Sequence, residues 1–158
     1  MRKIMVLLVI GLSLSACIVK TGGDPTLQKQ VDSLKEQVAK FRPGLGEFML
    51  SVQVHHCKLF FAGSAANWQL AKFEVDEIRE QLNHAVAIET DRTEIKSIPM
   101  VYPALDSIDA AISAKDTAQF HQQYIRLTNA CNECHKAVNF EFNKVKIPDV
   151  NPYTNQVW

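Results

Sequence analysis

Apolar residues recur every three or four positions along four segments of this chain, and this spacing restricts the folds that it can adopt. Steps of three or four residues place side chains on one face of an α-helix, whereas a strand would need alternation. The four sets are Leu45, Phe48, Met49, Val52, His56, Leu59 and Phe60; Ala71, Val75, Ile78, Leu82 and Ala85; Val101, Leu105, Ile108 and Ile112; and Phe120, Tyr124, Leu127, Cys131, Cys134 and Val138. Because short connections favour antiparallel neighbours, we predict an all-α fold, an antiparallel four-helix bundle.

Capping and breaking residues bound the predicted helices. Gly63 can end the first helix, and Asn67 and Asp116 can cap the second and the last. Prolines such as Pro99 suit the start of the third helix. We therefore expect helices at 45–63, from 68, at 99–114 and from 116, with a charged connection at 88–98.

A shorter amphipathic segment precedes the predicted bundle. Asp24 and Pro25 favour a helix start, since Asp can cap free amides and Pro is tolerated at the first helical position. The apolar residues that follow also step by four and three: Leu27, Val31, Leu34, Val38 and Phe41. They span about two heptads, fewer than a coiled coil needs, so this helix is expected to lie on its own domain or to serve as a stalk. The domains are then a tether and helix at 17–43, a bundle at 44–147 and an irregular tail at 148–158.

The charge balance argues against one broad class of partner. The 158 residues include 17 basic and 17 acidic side chains. This balance leaves no net positive charge to attract a phosphate backbone. Nucleic acid is therefore not expected among the partners.

The N-terminus has the pattern of an export signal. Arg2 and Lys3 precede an apolar run at 4–14, and small residues follow it. The run is too short to span a bilayer, which takes roughly 20 residues. A buried N-terminal helix is the alternative interpretation.

The end of this signal, Leu14-Ser15-Ala16-Cys17, resembles the lipobox of bacterial lipoproteins. The resemblance implies that residues 1–16 are a signal peptide and that Cys17 carries a lipid. The next residue, Ile18, is not Asp, which by the sorting rules of Gram-negative bacteria favours the outer membrane. The implied location is the periplasmic face of the outer membrane, with the lipid as the anchor.

One short motif carries recognisable chemistry. Residues 131–135 read Cys-Asn-Glu-Cys-His, the C-x-x-C-H pattern at which c-type haem is attached. Two thiols on one helical face can each add to a vinyl group of the porphyrin, and the adjacent His can bind the iron as proximal ligand. We therefore predict one covalent haem c, bound through Cys131 and Cys134, with His135 on the iron.

The same Cys spacing has two other uses. A thioredoxin-like redox pair normally lies near a βαβ pattern, and half of a zinc site needs a second ligand pair at finger-like spacing. The sequence contains neither feature. Haem attachment therefore remains the leading interpretation of the motif.

A C-x-x-C-H motif on the last helix of a four-helix domain resembles the class II c-type cytochromes, the cytochrome c-prime group. The resemblance covers roughly residues 44–142 in architecture, and its sequence content is mainly the motif at 131–135. It implies a haem held inside a four-helix bundle and a sixth-position residue on the first bundle helix. A second stretch, residues 55–63 with Asn67-Trp68, looks similar to a group of small exported bacterial haem-motif proteins with no assigned reaction.

The sequence leaves the sixth coordination position of the iron open. His56 would give a bis-His haem of low potential, and Met49 on the same stripe would give a higher potential; Met100 is a less plausible ligand. A His at the centre of an apolar stripe is more commonly a core residue with satisfied hydrogen bonds, and a vacant position would let the iron bind NO, CO or O2. The remaining histidines are expected to be solvated or peripheral: His55, His84 and His121.

Three functions are compatible with such a haem. The first is a one-electron carrier, not an enzyme, that passes electrons between periplasmic redox partners. The second is a gas-binding protein for NO or CO, which needs an open sixth position. The third is an enzyme such as a peroxidase or nitrite reductase, which needs a distal acid/base pair that the stripe of His56 does not supply. We predict the first function and keep gas binding as the alternative.

Two features concern association of the chain with itself. Dimers are common in the class II group, and the apolar face at 27–41 offers a second route to a homodimer. Cys57 is left over after the lipid and haem cysteines are assigned. It is expected to be a free thiol, with an intermolecular disulfide as the alternative.

Overall fold

The computed structural model describes residues 24–158, and all regular structure in that range is helical. The elements in chain order are α1 (Pro25–Phe41), α2 (Leu45–Ser64), α3 (Trp68–Ile88), a 3-10 helix (Glu94–Met100), α4 (Tyr102–Ser113) and α5 (Thr117–Ala137). The all-α prediction is therefore confirmed. The predicted signal peptide at 1–16 and the predicted lipid-bearing Cys17 lie outside the described residues. Within that described range, none of the helices is long and apolar enough to cross a membrane.

Helix α1 belongs to one compact unit of the chain, and Arg42–Trp158 form the other. It begins as the sequence predicts, because the Thr26 backbone N–H donates to Asp24 Oδ1 at 2.8 Å and Pro25 occupies the first helical position. None of its residues is buried, and most of its apolar side chains are exposed.

Side-chain caps begin α3 and α5, as predicted. Asn67 accepts a hydrogen bond from the backbone N–H three residues on at 3.2 Å, and Asp116 does the same at 2.9 Å. The residues that lead into these caps, Ala66 and Lys115, have φ angles of 56° and 55°. Left-handed backbone at non-glycine residues costs about 1–2 kcal/mol each. Both turns are therefore tight, and the packing of the helices that they join must offset this cost.

The connection between α3 and α4 contains more structure than the sequence indicates. Glu94–Met100 form a 3-10 helix, and its Ile98 is buried in the core. Pro99 lies inside this helix; because it has no N–H, it cannot support continued α-helical hydrogen bonding. Helix α4 consequently begins at Tyr102, three residues later than predicted.

The core of the second unit lies between α2, α3, α4 and α5. Helix α2 packs against α3 and α5, and α4 packs against the same two helices. All four contribute large side chains that are almost fully buried: Leu59, Val75, Ile78, Leu105, Ile108, Phe120, Tyr124 and Leu127. Each large apolar side chain contributes about 1.5–3 kcal/mol when it is removed from water. Every one of these residues belongs to the sets found by periodicity.

Gly63 marks a very close approach of α2 to α5. A Cβ atom at this position would stand 2.0 Å from Cζ of Phe120, a separation that real Cβ contacts do not show. The aromatic ring thus occupies the space that any side chain would need. The sequence also predicted that Gly63-Ser64 would end this helix, and α2 does end at Ser64.

The segment after α5 has no helix or strand, yet it packs on the rest of the unit. Ile147 packs against the core, and the ring of Trp158 lies 5.4 Å from that of Phe61 on α2. Lys58 Nζ lies 5.4 Å from the centre of the Tyr153 ring, within cation–π range. These contacts hold the irregular tail against α2.

Candidate functional site

The C-x-x-C-H motif lies in the last two turns of α5, which ends at Ala137. Cys134 is buried, and Cys131 packs partly buried against the core; both thiols are free. Residues three apart on an α-helix differ by about 60° around its axis, so both side chains leave the same face. The helix therefore meets the first requirement of a two-point covalent attachment.

The surroundings of these two thiols keep them protonated. Burial raises the pKa of Cys131 to about 12, and burial raises the pKa of Cys134 as well. Reactive cysteine pairs and thiolate metal ligands depend on a depressed pKa. The two thiols therefore lack the depressed pKa that is typical of a dithiol redox pair. Among residues 24–158, no three His, Cys, Asp or Glu side chains lie together so that they could hold a metal ion.

The imidazole of His135 is held by a backbone contact beyond the end of the helix. Its Nδ1 lies 2.6 Å from the carbonyl oxygen of Asn143. Because a carbonyl oxygen can only accept, Nδ1 carries the proton and donates it, and the lone pair is on Nε2. Metal-bound histidines commonly have their second ring nitrogen held in this way. This hydrogen bond thus leaves Nε2 as the ring nitrogen with the lone pair.

The chain reverses directly after α5. Asn139 adopts a left-handed conformation with a φ of 63°, which Asn tolerates better than most residues. The Phe140 N–H donates to the carbonyl of His135 at 2.8 Å, and the Asn139 N–H donates to that of Lys136 at 3.2 Å. This pair of hydrogen bonds is a Schellman motif, which turns the backbone back alongside the helix.

The returning backbone is also bound by the motif itself. Asn132 Nδ2 donates to the carbonyl oxygen of Val145 at 2.9 Å, and Asn132 Oδ1 accepts the N–H of Val145 at 2.8 Å. We call residues 139–145 the clasp, because both of its ends are tied to the last turns of α5. Sequence reasoning assigned no role to Asn132 or Asn143. An Asn just past a predicted helix end, here Asn139, is a signal that could have indicated the reversal.

His56 lies in the core, where both of its ring nitrogens have hydrogen-bond partners. Its Nε2 is 3.0 Å from Oγ1 of Thr128, and its Nδ1 is 2.9 Å from the hydroxyl oxygen of Tyr124. The Thr128 hydroxyl donates to the Tyr124 carbonyl at 3.0 Å, so its oxygen accepts the Nε2–H of His56. Tyr124 can then donate its hydroxyl hydrogen to Nδ1 or to the His56 carbonyl, which is also at 2.9 Å. Burial lowers the pKa of His56 to about 4, which keeps the ring neutral.

These contacts bear on His56 as a sixth ligand of the iron. To bind iron, the ring would have to give up Thr128 or Tyr124 as a partner. Thr128 precedes His135 by seven residues, which is about 10 Å along the helix axis. His56 has the partners of a satisfied core histidine, the other interpretation that the sequence allowed.

The two methionines considered as ligands differ in environment. Met49 is partly buried on α2 and packs against the core, whereas Met100 is about half exposed (48%) at the end of the 3-10 helix. Of the two, only Met49 shares a helix face with His56. Met49 therefore stays the more suitable sulfur ligand of the pair.

His55 and Cys57 are the other two candidate residues on α2. The sequence suggested that His55 is solvated or peripheral, which is wrong. Its Nδ1 lies 2.7 Å from Oε2 of the buried Glu74 on α3. A second carboxylate, that of Glu77, is 3.8 Å from Nε2. Cys57 is a half-buried free thiol, and burial raises its pKa. The pair of His55 with Glu74 thus joins α2 to α3.

Comparisons of the chain with protein-family models, with curated proteins and with solved structures found no match.

Proposed function

We propose that this protein is a c-type cytochrome with one haem, bound covalently through Cys131 and Cys134 and with His135 as the proximal ligand of the iron. The observation that carries this proposal is the hydrogen bond from His135 Nδ1 to the carbonyl of Asn143, which leaves Nε2 as the free ligand atom. The position of the two thiols on the same face of α5 is consistent with two thioether bonds to one porphyrin. When bound, the haem would supply the ferric and ferrous states of a one-electron carrier.

The protein's own residues would attach, orient and shield the cofactor. The two cysteines fix it to the most C-terminal turns of α5, and the clasp holds the plane of the His135 ring. Burial among apolar side chains lowers the local dielectric, which is one of the factors that set a haem potential. Under this proposal the protein is a carrier for a periplasmic redox partner, not an enzyme, and the lipid predicted on Cys17 keeps it at the outer membrane.

We propose the antiparallel four-helix bundle for α2 to α5, in line with the resemblance to the class II c-type cytochromes. Each of these helices packs against two of the others in a closed ring, from α2 through α3 and α4 to α5. The connections at 65–67 and 114–116 are three residues long. Such short links favour antiparallel neighbours, which supports this arrangement.

Binding of a gas such as NO or CO is the second candidate function. The observation that favours it is the hydrogen bonding of both ring nitrogens of His56, which withholds that residue from the iron. An iron without a sixth protein ligand would be open to small diatomic molecules. An absorption spectrum of the reduced protein separates the two functions, because only an open iron responds to CO.

The attachment itself is tested with the protein matured in a host that attaches haem to C-x-x-C-H motifs. We expect the unchanged protein to keep its haem stain on a denaturing gel and the double variant Cys131→Ser with Cys134→Ser to lose it. Cys57→Ser is the matched control and should retain the stain. Haem that survives denaturation in the double variant would overturn the proposal.

A further inference from the structure

Two residues of the C-x-x-C-H motif that would not be bonded to the porphyrin hold the same stretch of chain. His135 donates from Nδ1 to the carbonyl of Asn143 at 2.6 Å, and Asn132 binds both the N–H and the carbonyl of Val145. The two backbone positions are separated by one residue. The carbonyl that orients the proximal imidazole therefore belongs to a segment that Asn132 fixes.

The double contact of Asn132 is well suited to fixing a backbone. Its carboxamide presents one donor and one acceptor, the same pair that a neighbouring β-strand would present, so it determines the position and the direction of Val145. At the other end of the clasp, the Schellman hydrogen bonds fix Asn139 and Phe140. Within the clasp, the Asn143 N–H donates to the carbonyl of Phe140 at 2.9 Å. With both ends held, the carbonyl of Asn143 has little freedom to leave the ring of His135.

We propose that Asn132 is a positioning residue for His135, which acts through the clasp to keep the proton on Nδ1 and the lone pair of Nε2 available to the iron. The residue itself makes no hydrogen bond with the imidazole and has no role in the covalent attachment. The assignment of iron as the group at Nε2 rests on the proposed function. The hydrogen bonds of the clasp involve no haem atom, so they can be measured whether or not haem is bound.

The test compares Asn132→Ala with Asn129→Ala, an exposed Asn on the same helix, in the full-length protein. Hydrogen exchange is followed by NMR at two protons, the backbone N–H of Val145 and the Nδ1–H of His135, in the reduced protein under CO. We expect both protons to exchange about five- to tenfold faster in Asn132→Ala, the factor for a lost net hydrogen bond of about 1–1.4 kcal/mol. Both should stay close to their original rates in Asn129→Ala.

Exchange of the His135 Nδ1–H decides the outcome, since this proton is hydrogen-bonded to Asn143 and not to Asn132. If the Val145 proton exchanges faster while the His135 proton keeps its rate, Asn132 anchors the loop only and the inference is wrong. Should Asn132→Ala fail to fold, Asn132→Asp keeps the acceptor for the Val145 N–H and removes the donor to its carbonyl. Because that variant sets a carboxylate oxygen against the Val145 carbonyl, it is also expected to accelerate exchange of the His135 proton, and an unchanged rate would again refute the positioning role.

A second readout reports on the iron. A hydrogen-bonded Nδ1–H makes the imidazole a more basic ligand, which favours ferric iron, so we expect the midpoint potential to rise in Asn132→Ala and not in Asn129→Ala. If neither the midpoint potential nor the exchange rate of the His135 Nδ1–H changes in Asn132→Ala, the positioning role of Asn132 is refuted, and the proposal of a bound haem is unaffected. If no haem is attached at all, the proposed function fails, and exchange of the same two protons in the haem-free chain still tests the clasp.

Discussion

The buried imidazole of His56 predicts a specific loss of stability in mild acid. Burial lowers its pKa to about 4 in the folded protein, whereas an unfolded chain shows the ordinary value of about 6.5. Between these values the unfolded state binds a proton that the folded state refuses, so the free energy of unfolding falls as the pH drops below about 6.5. From pH 7.5 to pH 5, linkage gives a loss of about 2 kcal/mol from this group alone.

The assay is denaturant unfolding followed by circular dichroism at both pH values. His56→Gln removes the titrating group and keeps a neutral polar side chain, so we expect its pH-dependent loss to be smaller by about 2 kcal/mol. His84→Gln is the control, because His84 is exposed, and it should lose as much as the unchanged protein. Equal losses in the His56→Gln variant and the unchanged protein would show that the reasoning is wrong. Absorption spectra recorded in parallel report whether His56→Gln alters iron ligation.

Three further predictions concern packing, the buried hydrogen bonds and the anchor. Gly63→Ala should lower the free energy of urea unfolding by about 1–3 kcal/mol, because its Cβ would stand 2.0 Å from the Phe120 ring. Gly46→Ala is the control and should cause no loss, because its Cβ would meet nothing within 4 Å. Equal effects of the two substitutions would contradict the close packing at Gly63. Thr128→Val should lower the free energy of unfolding by about 1–3 kcal/mol in the same assay, since it leaves the buried Nε2–H of His56 without an acceptor. An unchanged free energy of unfolding would argue against this hydrogen bond. Cys17→Ala should move the protein from the membrane fraction to the soluble fraction on cell fractionation, and retention would contradict lipid anchoring.

The helices and the core could be predicted from the sequence because both depend on local periodicity. The caps at Asn67 and Asp116 act on backbone groups three residues away, so the sequence contains all the information that is needed to find them. The 3-10 helix that holds Ile98 was not predicted, since its short length and charged residues give no helical period. Its Ile98 is buried and its Ile95 packs against the core, and these are contacts with distant residues that a local pattern does not show.

The clasp lay beyond sequence reasoning for a different physical reason. Asn132 binds a residue 13 positions away, and His135 binds one eight positions away, across a chain reversal that only the three-dimensional path reveals. The motif spacing identified the residues that could carry the cofactor. It could not reveal how the ring of His135 is oriented, because its partner is a backbone carbonyl with no side-chain signature.

The hydrogen-bond partners of His56 and His135 distinguish the chemical roles that these two histidines can have. Both lie on helices, and both were considered as iron ligands from the sequence. His135 meets one carbonyl, so one nitrogen is committed and the other is free to bind a metal. His56 meets two hydroxyl groups from α5, so both nitrogens are committed and the ring stays neutral in the core. Because the second hydroxyl belongs to Thr128, three residues before Cys131, the face of α5 that would hold the haem also restrains the histidine that the sequence offered as its sixth ligand.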